Sequence, residues 1–249
     1  MTLAFEPALV SFAIGASAIL LAAIVQSTTG IGFGLIAAPL LVLLDPAYVP
    51  ATVIFLGVLV SAMSSARDFR DINVRLTVAG IVGRLPAAFF AAGLVAAVPP
   101  ETFELLFAGA IIGAVVLSLI GPKVAPSVPA MAAAGLVSGF MGTLTAAGAP
   151  PFAIALQNAP AHQMRATLNT VLLMGACLSL FSLAVFGEFG WADVIRGAAL
   201  VPFVFLGFWL AKFTISNPAV QRAMRPAVLG ICVAASCVLI IRAMSRHLT

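Results

Sequence analysis

The chain has 249 residues, of which 63% are hydrophobic and only 8% are charged, and its formal net charge is +4. Because an average globular chain carries about 25% charged residues, this chain has too few charges to cover a water-soluble surface of its size. The composition therefore predicts a protein solvated mainly by lipid. Its Lys and Arg residues form no basic run with interleaved aromatics, which argues against nucleic acid as a partner. Its cysteines form neither a C-x-x-C pair nor a Cys/His cluster, so the sequence gives no indication of a bound metal.

Apolar segments follow one another along the chain. The first, over residues 8–44, is long and is broken near its middle by Gly, Ser and Thr. After it come predicted spans at 50–66, 76–97 and 103–121, a second broken stretch at 129–157, and predicted spans at 166–186, 196–213 and 226–243. Each continuous span approaches the roughly 20 residues needed to cross a bilayer core of about 30 Å. We therefore expect an all-α integral membrane protein with a single transmembrane domain over residues 1–249.

The two broken stretches resemble each other. The first contains the run VQSTTGIGFGLIAAPL (residues 25–40), and the second contains VSGFMGTLTAAGAPPF (residues 137–152). When Pro39 is aligned with Pro151, Gly30 falls on Gly142. Further matches follow in order, namely Ala51-Thr52 with Ala166-Thr167 and Leu85-Pro86 with Val201-Pro202. The sequence therefore predicts a tandem duplication with a period of roughly 112–117 residues, made of repeat one (residues 8–121) and repeat two (residues 129–243).

The charges of the loops indicate how the halves are oriented. The loop Arg67–Arg75 carries three arginines and is expected in the cytoplasm, together with Lys123 and the Lys212–Arg225 segment, whereas Gly187–Asp193 is acidic. These placements agree only if the 129–157 stretch returns to the side from which it came, either by dipping into the membrane or by crossing twice. Each half is then a broken hairpin plus three spans, and the halves have opposite topology. Inverted repeats with interrupted helices are typical of secondary transporters. A single crossing by 129–157 is the alternative.

The Gly-rich breaks are the first candidate for a binding site. Non-helical backbone at membrane depth is tolerated where it lines a cavity, and a helix that restarts there presents free N–H groups and the positive end of its dipole to an anion. The candidate residues are Ser27, Thr28, Thr29, Gly30, Gly32 and Gly34 in the first break, and Gly142, Thr143, Thr145 and Gly148 in the second. The alternative is that these small residues serve only close helix packing.

Arg84 is the second candidate. It lies eight residues into the 76–97 span, about 12 Å along a helix, and no acidic residue lies well inside any span to pair with it. Charged groups inside the membrane usually mark a substrate or ion path. An unpaired cation in this setting favours an anionic substrate, unless Arg84 reaches the interface or caps carbonyls freed by Pro86. Asn169, near the start of the 166–186 span, is a weaker candidate for the same cavity.

These residues resemble a known family. The duplicated Gly-rich segment that ends in a proline, followed by the Ala-Thr start of the next span, is similar to the sulfite exporter family TauE/SafE over nearly the whole chain. The family pattern has runs of Gly in both breaks. Here Gly30-Ile-Gly32-Phe-Gly34 keeps that pattern, whereas the second break reads Ala146-Ala147-Gly148. The resemblance implies transport of sulfite, sulfonates or related organic anions, often outward, without a bound organic cofactor.

The sequence therefore predicts a secondary transporter of a small sulfur-containing anion in the bacterial inner membrane, with the lipid bilayer as its other partner. An anion channel, or an exporter of other small organic anions, is the alternative function. A membrane enzyme is disfavoured, because no paired carboxylates, His cluster or Ser/His/Asp arrangement lies within the apolar segments. The sequence leaves the oligomeric state open, a homo-oligomer included.

The predicted topology is testable by cysteine labelling in intact cells. We expect Arg67–Arg75, Lys123, His162–Arg165 and Lys212–Arg225 on the cytoplasmic face and both termini outside. In a variant whose three native cysteines are replaced, a cysteine introduced at Ala161 should react only with reagents that cross the membrane. Labelling of that cysteine from the periplasm would contradict the inverted-repeat topology.

Overall fold

The computed structural model describes residues 5–122 and 124–214, and residues 226–227, 229–235, 237–238 and 241 of a last helical segment. Over these residues the chain is helical and contains no strand. Five of the described helices are long and apolar enough to cross a membrane, or six if one bent pair counts as a single span. The all-helical membrane architecture expected from the composition is confirmed. The predicted positions of Lys123 and of Arg222 and Arg225 lie outside the described residues.

The helices follow one another with short connections. In chain order they are α1 (Phe5–Thr29), α2 (Phe33–Leu44), α3 (Ala51–Arg67), α4 (Val74–Ala97), α5 (Pro100–Ile120), α6 (Val128–Thr145), α7 (Ala149–Leu156), α8 (Ala161–Val185), α9 (Trp191–Ala198) and α10 (Val201–Leu210). Short 3₁₀ turns lie at Pro46–Tyr48, Phe69–Asp71 and Ala211–Phe213.

Both long apolar stretches are broken, and a threonine shapes each break in the same way. The Thr29 hydroxyl donates to the Val25 carbonyl and accepts from the N–H two residues later, and Thr145 repeats both bonds with Met141 and Ala147. The residue after each threonine has positive φ, at 82° for Gly30 and 61° for Ala146. Thr29 and Thr145 are thus matched at a distance of 116 residues. The alignment of Pro39 with Pro151 has a distance of 112 residues, which differs by about one helical turn.

The second half departs from the expected spans in two places. The segment predicted as one straight span at 196–213 consists of α9 and α10, which begin at Trp191 and are bent by 50°. Pro202, in the first turn of α10, explains the bend because it has no N–H and cannot continue a preceding helix. The predicted 166–186 span begins five residues earlier, so that His162 lies in the first turn of α8.

Three helix pairs with extensive contacts show the relative directions of the helices. α4 and α6 run parallel, with Gly80 and Gly83 on one helix against Gly135 and Ala132 on the other. α1 and α10 also run parallel, since Phe12 packs on Phe203 and Gly207 lies against the helix turn at Leu20–Ile24. α3 and α8 run antiparallel, since Asp68 after the end of α3 bonds to Arg165, whereas Ser65 one turn earlier bonds to Thr170 one turn later.

The short helix α2 is enclosed by these pairs. Nine of its twelve residues are buried, which is the pattern of a helix surrounded by protein rather than lying at a surface. Twelve residues extend only about 18 Å, too short for a bilayer core of about 30 Å. Because α2 ends at the exposed Asp45, its first residues lie at membrane depth. The N-terminus of α2 is thereby directed into the interior of the protein.

The close approach of α4 and α6 yields a stability prediction. A Cβ on Gly135 would overlap the Gly80 carbonyl oxygen and lie 3.0 Å from the Arg84 backbone nitrogen. Gly135→Ala should therefore destabilise the protein by about 1–3 kcal/mol, the usual effect of overpacking. Gly109→Ala in α5 is the matched control, because nothing lies within 4 Å of its Cβ position. Thermal unfolding in detergent should show a lower Tm for Gly135→Ala alone, and equal Tm values would contradict the proximity of the two helices.

Candidate anion-binding site

Arg84 is buried in the middle of the protein. It lies ten residues into α4, about 15 Å from the helix start, and only 3% of it is exposed. Its Nη1 donates to Ser138 Oγ at 2.7 Å and its Nη2 donates to Ser179 Oγ at 2.9 Å. Its Nε has no partner. Among the described residues no ion pair includes Arg84, so its positive charge is held by neutral hydroxyls.

Four glycines make room for this side chain. A Cβ would lie 2.7 Å from Arg84 Nη2 at Gly142, 3.0 Å from Nη1 at Gly148, 2.7 Å from Nε at Gly175 and 3.0 Å from Cγ at Gly139. A larger residue at Gly142, Gly148 or Gly175 would push the guanidinium out of its place, and one at Gly139 would collide with the backbone and the first carbons of Arg84. The close packing expected of the glycines in the second break is thus packing against the buried cation, which contacts Gly142 and Gly148.

The serines that hold Arg84 are themselves fixed by the second half of the chain. Ser138 Oγ donates to the Gly148 carbonyl at 2.6 Å, which ties α6 to the break before α7. Ser179 Oγ lies 2.6 Å from Thr143 Oγ1, which ties α8 to α6. Because both hydroxyls are anchored, the two terminal nitrogens are fixed and the unpartnered Nε edge remains.

Arg84 faces a cavity that also contains the N-terminus of α2. The cavity has a volume of about 50 Å³, far below the roughly 300–1,000 Å³ of pockets for drug-sized ligands. It is lined by residues of both breaks and of α3, α4 and α8, namely Gln26, Gly32–Leu35, Val53, Ile54, Gly57, Ser61, Arg84, Gly142, Ala146–Ala149, Leu172 and Ala176. A space of this size accommodates a few water molecules or one small anion.

The two restarting helices offer different donors to this cavity. In α2 the first-turn residues Phe33, Gly34 and Leu35 all have backbone N–H groups. In α7 the second and third residues are Pro150 and Pro151, which have no N–H to donate. The cavity therefore meets the donors of a helix N-terminus mainly at α2, whereas the sequence predicted them equally at both breaks.

Of the residues predicted from the sequence, the structure places five on the cavity: Arg84, Gly32, Gly34, Gly142 and Gly148. The others lie off it. The hydroxyls of Thr28, Thr29 and Thr145 donate to backbone carbonyls of their own helices, and Gly30 packs against Arg165. Ser27 is buried beside α3. Thr143 acts on the site only through Ser179.

Asn169 also lies away from the cavity, where it supports a different contact. Its Nδ2 donates to the Arg165 carbonyl at 2.9 Å, and its Oδ1 accepts from Gln26 Nε2 at 3.0 Å. The structure thus adds Gln26, Ser138, Ser179, Gly139 and Gly175 to the residues of interest. Spacing gives a partial signal for these, because Ser138 and Gly142 are four apart on α6, as are Gly175 and Ser179 on α8, which puts each pair on one helix face.

An ion-pair cluster lies next to the first break, at Ser27 and Gly30. Asp68 binds Arg67 at 3.0 Å and Arg165 at 2.9 Å, and Arg67 Nη2 also donates to the Ser27 carbonyl at 2.9 Å. Burial alone would raise the pKa of Asp68, but the hydrogen bonds and charges of the two arginines outweigh it and leave the pKa below its ordinary value. Asp68 is therefore ionised at physiological pH and links α3 to α8 through Arg165, which packs against Gly30.

A comparison with known families identifies the chain. The family model described as Sulfite exporter TauE/SafE matches residues 15–239, which is nearly the whole chain. The resemblance found in the sequence is thus confirmed, and together with the apolar helices it makes this a multi-pass membrane protein of a transporter family. No curated protein and no solved structure shows significant similarity to the chain.

The glycines around Arg84 can be tested one at a time. Gly175→Ala would place a methyl group 2.7 Å from Nε and 2.9 Å from Cζ of Arg84, so the guanidinium must move away from Ser179. We expect transport to fall by roughly tenfold or more, as for other small displacements of binding groups. Gly113→Ala in α5 is the control, since its Cβ would meet only Met141 Cε at 4.0 Å. Equal transport by the two variants would show that the position of Arg84 is unimportant.

Proposed function

The chain belongs to the TauE/SafE family of sulfite exporters, and we propose that it is a secondary transporter that exports sulfite or a related small sulfur-containing anion across the bacterial inner membrane. The observation that carries this proposal is the buried Arg84, which lines a small cavity and has no carboxylate partner among the described residues. An isolated buried cation carries a desolvation penalty of several kcal/mol. A bound anion supplies the missing charge.

The cavity supports a small substrate with oxygen atoms at its surface. Arg84 and the first turn of α2, which both carry N–H donors, line the cavity, and the lining residues include no Asp, Glu or Lys. Donors from different sides suit an oxyanion whose oxygens point in several directions. At about 50 Å³, the cavity favours sulfite over a longer organosulfonate in this conformation.

The arrangement of the helices supports alternating access as the mechanism. If the bent pair α9–α10 counts as one element, the first helix of each half packs parallel to the fourth element of the other half, as α1 with α10 and α6 with α4. The third elements α3 and α8 run antiparallel to each other. These relations agree with an inverted repeat related by a pseudo-twofold axis in the membrane plane. Arg84 comes from the first half, and Ser138 and Ser179 come from the second, so a movement between the halves opens or closes the site.

Arg84 is the most direct test of this function. We expect Arg84→Ala to lose sulfite affinity by roughly tenfold to a hundredfold, since a charge-assisted hydrogen bond contributes about 1.5–3 kcal/mol. Arg84→Lys should recover only part of this affinity, because a point charge replaces a planar fork of donors. Radiolabelled sulfite binding to the purified protein measures the effect, and thermal unfolding of the same sample measures its stability.

The structural alternative gives the opposite pair of results. If Arg84 only fastens α4 to α6 and α8, Arg84→Ala should lower the Tm while sulfite affinity stays unchanged.

A flux assay in liposomes distinguishes a carrier from a channel. Saturable counterflow of sulfite is expected of a carrier, whereas a voltage-driven current that does not saturate would identify a channel.

A further inference from the structure

Gln26 is a buried amide that links the anion cavity to the interior of the protein. It is the fourth residue before the break and is only 2% exposed, yet it lines the cavity. Its Oε1 accepts from the Phe33 N–H at 3.2 Å, and its Nε2 donates to Asn169 Oδ1 at 3.0 Å. Both ends of the amide are thus engaged, one at the N-terminus of α2 and the other on α8.

The Phe33 N–H is one of the donors that a helix N-terminus leaves without a partner inside the helix. Such donors, together with the positive end of the helix dipole, bind anions. Here a neutral side-chain carbonyl takes the place that an anionic oxygen would take. Hydrogen bonds to an ionised acceptor are roughly twice as strong as those between neutral groups. An anion that enters the cavity can therefore displace Gln26 from Phe33.

A chain of contacts leads from Gln26 to the ion-pair cluster of Asp68. Asn169 Nδ2 donates to the Arg165 carbonyl at 2.9 Å. The Arg165 side chain binds Asp68, which also binds Arg67. Arg67 in turn donates to the carbonyl of Ser27, the residue next to Gln26. The contacts form a closed ring through α1, α3 and α8, and Gln26 is its member at the cavity.

We propose that Gln26 is a positioning residue that occupies the anion's place at the N-terminus of α2 and, when the anion displaces it, passes the change through Asn169 to the Arg165–Asp68–Arg67 cluster. The inference rests on the proposed anion site. In the empty site the Phe33 N–H is bonded to Gln26. Substrate binding breaks this bond and is thereby coupled to the ion pairs of Asp68 next to the first break. The position 116 residues later is Gly142, which has no side chain and accommodates Arg84, so only the first half contains this coupling.

The test compares sulfite affinity with turnover in the full-length protein. Gln26→Met removes both amide bonds but keeps a similar volume, so the Phe33 N–H is free for sulfite. Affinity should stay the same or rise by up to about tenfold, the worth of one neutral hydrogen bond. Turnover in liposome counterflow should fall by roughly threefold to thirtyfold, the range of mutations along a coupling path. Asn169→Leu, which does not touch the cavity, should lower turnover similarly and leave affinity unchanged.

Two further variants keep the test decisive. Thr170→Val is the matched control, because it removes the neighbouring Ser65–Thr170 bond between the same helices and lies outside the ring; its turnover should match the wild type. Gln26→Glu places a tethered carboxylate at Phe33 in nearly the same volume. It should weaken sulfite binding by roughly tenfold to a hundredfold, and it answers the question if Gln26→Met does not fold.

The role of Gln26 is overturned if Gln26→Met loses as much affinity as Arg84→Ala, since Gln26 would then be a direct ligand. It is also overturned if Asn169→Leu turns over at the wild-type rate, or if Gln26→Glu binds sulfite normally. Unchanged affinity in Arg84→Ala would instead refute the anion site itself. The two failures are therefore seen in different variants.

Discussion

The guanidinium of Arg84 lies in the interior of a membrane domain, bonded to two serine hydroxyls and paired with no carboxylate among the described residues. Much of the surrounding structure follows from this one placement. Glycines must occupy the facing positions, because a methyl group would collide with the side chain. α4 and α6 must approach closely for Ser138 to reach Nη1. The remaining positive charge makes the adjoining cavity a place where an anion is stabilised and a cation is not.

The site is assembled from both halves of the chain, and the halves contribute different things. The first half supplies charge and donors, through Arg84 and the N-terminus of α2. The second half supplies shape and support, through the glycines and serines of α6, α8 and the break before α7. Pro150 and Pro151 remove donors from α7, and Gly142 replaces the amide that Gln26 provides in the first half. The two breaks are therefore similar in backbone shape but different in the groups they present to the cavity.

The sequence predicted that the chain is a membrane protein, that two of its apolar stretches are broken, and that Arg84 is buried among apolar helices. Each of these depends on local composition or on a charge in an apolar run. The alignment of Pro39 with Pro151 was wrong by one helical turn, because Pro39 lies in the middle of α2 whereas Pro151 is the third residue of α7. The helix ends are set instead by Thr29 and Thr145. Ser138 and Ser179 were missed despite the partial signal of their spacing, since a serine in an apolar helix usually bonds its own backbone and their partner Arg84 is 54 and 95 residues away.

The location of the bound anion tests the site most directly. Selenite has the shape and charge of sulfite and contains an atom heavy enough to be located by anomalous scattering. In crystals of the full-length protein soaked with selenite, we predict an anomalous peak in the cavity lined by Arg84 and Gly32–Leu35, within hydrogen-bonding reach of the Arg84 guanidinium and the N-terminus of α2. A peak at another position in the membrane domain, with the Arg84 cavity empty, would contradict Arg84 as the anion-binding residue.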